Sequence, residues 1–71
     1  MAVSISRRVE VTAVSSENGH SWSMWVVVKV AVGATDTVVR NAALREALKL
    51  LDKENIATRS VAVSYIVPLD D

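Results

Sequence analysis

The sequence predicts an α+β fold: a single ββαβ domain in which one helix packs on one face of a three-stranded, mostly antiparallel sheet. Three patterns carry this expectation. Residues 3–14 and 21–32 alternate apolar with polar on either side of Asn18-Gly19, residues 36–54 repeat apolar positions at helical spacing, and residues 58–67 alternate again.

In the first strand Val3, Ile5, Val9, Val11 and Ala13 share one parity, and Ser4, Ser6, Arg8, Glu10 and Thr12 share the other. Such a strand buries one face. Asn18-Gly19 between two alternating runs predicts a two-residue type I′ turn, which needs positive φ at both central residues. The register that follows sets Ala13 opposite Met24, Val11 opposite Val26, Thr12 opposite Trp25 and Arg8 opposite Lys29. The second strand then turns Trp22, Met24, Val26, Val28, Val30 and Val32 toward the core. Its outer parity carries Trp25, Val27, Lys29 and Ala31, beside Val14 of the first strand.

Thr35 or Asp36 is a suitable N-cap for the helix, because its side-chain oxygen accepts from the first free N–H groups. Ala43, Leu44, Ala47, Leu48, Leu50 and Leu51 fall on one side, with Arg45, Glu46, Lys49, Asp52 and Lys53 opposite. Asn55 suits the left-handed position after the last turn, with Ile56 folding back onto Leu51. In the third strand Val61, Val63, Tyr65 and Val67 share a parity, Ser60, Ala62, Ser64 and Ile66 share the other, and Pro68 ends the pairing before a solvated Asp70-Asp71 end. A right-handed crossover permits strand order 2-1-3 or 1-2-3, and the pattern leaves both open. Arg7 on the apolar parity and Arg40 within the apolar helix arc read as structural residues.

Composition narrows the function. Seventy-one residues make one domain, and the 51% apolar content excludes a disordered tail. Eight basic residues balance eight acidic ones, so no net charge draws the chain to nucleic acid or anionic lipid. With no cysteine there is no disulfide or thiolate site, and two glycines with one histidine make neither a phosphate-binding loop nor a paired-histidine metal site. His20 falls in the turn, where a general base would lack a fixed partner. No catalytic residue, metal or cofactor is therefore expected. The longest apolar run falls far short of the ~20 residues that span a bilayer, and no signal-like segment follows the N-terminus. The chain is expected in the cytoplasm, without membrane contact.

The leading expectation is a noncatalytic homo-oligomeric accessory domain, a dimer or larger, that also binds another protein. One helix leaves Val14, Trp25, Val27, Ala31 and Ile66 uncovered on the outer sheet face, and these are the candidate subunit contacts. The alternative is a nucleic-acid or anionic-ligand module. Arg8 and Lys29 would sit side by side near Trp25, and Arg45, Lys49 and Lys53 recur every four residues along the helix.

The strand-strand-helix-strand order is a cyclic permutation of the strand-helix-strand-strand order of dodecins. The segment from Asp36 through Thr37, Val38, Val39, Arg40, Asn41, Ala42 and Ala43 resembles the start of their helix. Dodecins are flavin-binding dodecamers with a stacking tryptophan. The resemblance implies, as a remote alternative, a flavin-like ligand held between subunits; the permuted order carries no individual residue across.

Overall fold

Alternation becomes strand and helical spacing becomes helix close to the expected bounds. The computed structural model describes residues 3–68, so the expectation for Asp70 and Asp71 lies outside the described residues. The elements run β1 (Ser4–Ser15), β2 (Ser21–Ala31), α1 (Asp36–Lys53) and β3 (Thr58–Ile66). All pairing is antiparallel and the sheet order is β2-β1-β3, which resolves the open choice in favour of a central first strand.

The core lies between one sheet face and the helix. Val9, Val11, Ala13, Val26, Val28 and Val30 meet Val39, Ala43, Ala47 and Leu51, all buried. The helix contributes a single row at four-residue spacing. The short side chains of Ala43 and Ala47 face the sheet at the middle of this row, and Ala42 and Leu44 pack partly buried beside it. Leu48 and Leu50, expected on the packed face, lie outside this row and are exposed, whereas Leu44 stays against the core. Val32, expected on the core side, lies beyond the end of β2 at Ala31 and is exposed.

The ends of α1 follow their capping residues. Thr35 Oγ1 accepts from the Val38 N–H at 3.3 Å. Asn55 takes φ 56°, and the Ile56 N–H donates to the Leu51 carbonyl at 2.9 Å.

The first hairpin differs from the expectation. The Ser15 N–H donates to the His20 carbonyl at 2.8 Å and the Gly19 N–H to the Ser15 carbonyl at 3.1 Å, so the loop holds residues 16–19 instead of Asn18 and Gly19 alone. Gly19 has φ 74° while Asn18 keeps negative φ. A four-residue loop needs only one left-handed residue, and a type I′ turn would have forced Asn18 into that region as well. Asn18 Oδ1 accepts the His20 N–H at 3.0 Å, and Ser15 Oγ accepts that of Glu17 at 3.2 Å. The pairing consequently slips by two residues: Val11 faces Met24, Val9 faces Val26, Arg8 faces Val27 and Ser6 faces Lys29. An even slip preserves the faces and changes the neighbours. Arg8 and Lys29 therefore do not oppose each other.

The β1–β3 ladder shifts register between Glu10 and Val11 and again between Val14 and Ser15, leaving Ser64 and Arg59 as extra residues of β3. The bulge at Ser64 reverses parity beyond it. Tyr65 comes opposite Glu10 on the outer face, and Ile66, expected there, pairs with Val9 and packs on the core. No helix of the described residues is long and apolar enough to cross a membrane.

Candidate functional site

Among the described residues no layer covers the outer sheet face, because α1 lies on the other side. Its middle row runs from Trp25 through Glu10 to Tyr65 across the three strands. Adjacent strands lie about 4.8 Å apart, so the two aromatic residues are anchored roughly 10 Å from each other. Trp25 and Tyr65 are each 51% exposed and Val27 is 59% exposed. The Arg8 guanidinium lies 5.5 Å from the centroid of the Trp25 ring, a cation–π contact that holds the tryptophan against the sheet.

Beside this row lies a line of hydroxyls. Thr12 Oγ1 sits 2.7 Å from Ser64 Oγ and 3.3 Å from Ser23 Oγ, and Ser64 Oγ donates to the Glu10 carbonyl at 3.3 Å. The Ser64 hydroxyl thus braces the bulge that turns Tyr65 outward. Of the five expected contact residues, Trp25, Val27 and Ala31 are exposed on this face, Val14 is half-buried, and Ile66 lies on the opposite side.

The expected cations are dispersed over the molecule. Arg8 is committed to Trp25 on the outer face. Lys29 from β2 and Arg45 and Lys49 from α1 line a groove of about 390 Å³ along the free side of β2, together with Glu46. Glu46 lies 4.0 Å from Lys49 across one helical turn, an exposed pair of small energetic weight. Lys53, in the last turn of the helix, does not line this groove.

Arg7 lies on the core-facing parity opposite Val28, half-buried. Its guanidinium donates to the Val67 carbonyl at 3.3 Å, so it ties the end of β3 to the sheet, as a structural residue would. Arg40 is exposed and lines a shallow pocket with Asp36 and Tyr65.

Tyr65 is the site residue that sequence reasoning missed. Its placement depends on the Ser64 bulge, and near the end of β3 the neighbours Tyr65 and Ile66 are both largely apolar, so the pattern carried no signal for the reversal. No family model, curated protein or solved structure matches the chain. The functional reading rests on the residues themselves.

Proposed function

We propose that the chain is a noncatalytic, self-associating accessory domain, whose uncovered sheet surface around β2 forms the subunit contact and whose remaining surface binds another protein. The observation that carries this reading is the joint exposure of Trp25, Val27 and Tyr65 on one unpartnered face. Size points the same way. A domain of about 60–70 residues buries only ~60% of its unfolded surface, and assembly supplies what a small core cannot. Trp25→Glu is expected to dissociate the assembly to single chains in light scattering while the far-ultraviolet circular dichroism stays that of the folded protein. An unchanged mass in that variant would remove Trp25 from the contact.

A second reading has one observation in its favour: three cations, Lys29, Arg45 and Lys49, converge on the β2 groove. Under it, Arg45→Ala/Lys49→Ala abolishes binding of a single-stranded oligonucleotide, and binding by the unaltered chain falls steeply with salt. The overall charge balance and the Glu46 carboxylate within the groove place this reading second.

A further inference from the structure

The two edges of this sheet are not equivalent. Along β3 the pairing is broken by extra residues at Arg59 and Ser64, and Pro68 follows the strand. Bulges, charge and proline are the devices that blunt an edge against another strand. By contrast, β2 pairs in unbroken register from Ser21 to Ala31, contains no proline, and has Lys29 as its single charged residue.

The hydrogen-bond phase shows what that edge offers. The Ser15 N–H bonds the His20 carbonyl and the Val32 N–H bonds the Val3 carbonyl, so even-numbered residues of the second strand face β1. The N–H and C=O groups of Ser21, Ser23, Trp25, Val27 and Lys29 accordingly point away from the sheet, where no further strand lies among the described residues.

We infer that a second copy of this chain pairs with it antiparallel, β2 to β2, to form a continuous six-stranded sheet. This names the contact within the self-association reading and rests on that reading. Full overlap of the eleven residues centres the two-fold axis at Val26. Trp25 then lies opposite Val27 of the second copy, and Lys29 opposite its Ser23. No like charges meet in this register, and each Lys29 lies diagonal to a Trp25 ring of the other copy, within reach of a long side chain. The groove beside β2 adds charge self-complementarity, because Arg45, Glu46 and Lys49 present both signs to the same residues of the second copy.

Edge pairing is distinguished from face-to-face packing by amide exchange, measured by nuclear magnetic resonance on the full chain at a concentration where light scattering reads a dimer. The expected result is protection of the Trp25 and Lys29 amides by at least about tenfold over their rates in Val27→Pro, and of the Val27 amide by a similar factor over an exposed loop amide of the same protein. Proline at this position removes an N–H that points away from β1, so the variant is expected to stay folded and run as a single chain. A dimer whose Trp25, Val27 and Lys29 amides exchange as fast as those of exposed loops would overturn edge pairing and leave self-association standing. A folded Val27→Pro protein that remains dimeric would overturn it too. A single-chain mass for the unaltered protein removes both readings. If Val27→Pro fails to fold, amide rates in the unaltered dimer decide alone, with the Asn18 loop amide, which has no hydrogen-bond partner among the described residues, as the fast reference.

Discussion

Val11→Asp is expected to leave the chain unfolded at room temperature. Val11 is fully buried at the centre of β1, between Met24 of β2 and Val63 of β3, in a core containing no buried polar or charged residue among those described. A carboxylate placed there finds no cation or donor, and its burial costs several kcal/mol. Loss of the valine's own burial adds about 1.5–3 kcal/mol. A domain of this length has only about 4–10 kcal/mol of stability in total, so the sum reaches the whole of it. Ser6→Asp is the matched control, since Ser6 is exposed on the outer face opposite Lys29. Circular dichroism should show a folded protein for Ser6→Asp and a coil for Val11→Asp. Native-like spectra from both would mean that Val11 does not lie in the core.

Val28→Pro carries the second large effect. Its N–H belongs to the set that pairs with β1, opposite Arg7, so proline removes a ladder bond inside the sheet and strains the strand where Val28 is buried. Leaving the facing β1 carbonyl without its donor costs about 1–3 kcal/mol, and the strain on the strand adds to it. The same substitution one residue earlier, at Val27, touches a group that faces away from β1. Urea denaturation should therefore show a large loss of midpoint for Val28→Pro. For Val27→Pro the loss should be small when both proteins are compared as single chains. Equal losses would contradict the hydrogen-bond phase assigned to β2.

The elements of the fold were legible because each rests on a period: alternation in β1, β2 and β3, a four-residue row in α1, and Thr35 and Asn55 as its caps. Which side of the first two strands faces the helix was legible for the same reason. Their register was not, since loops of two and of four residues shift the pairing by an even number and leave the same residues inside. Strand order was open because the crossover through α1 is compatible with either neighbour for β3. The candidate contact surface was legible at Trp25, Val27 and Ala31, where alternation holds to the end of β2. It was not legible at Tyr65 and Ile66, whose faces are exchanged by one extra residue at Ser64.

Self-association would link assembly to stability. A partner that binds only the folded chain adds to its stability by mass action, so the unfolding midpoint of the unaltered protein should rise with concentration and that of Trp25→Glu should not. The most direct test of self-association is the native mass by size-exclusion chromatography with light scattering, at low and at high salt. The expected result is a dimer, twice the mass of the chain, that persists at high salt because backbone pairing and apolar contact at the β2 edge are not screened. A single-chain mass at high micromolar concentration would contradict it.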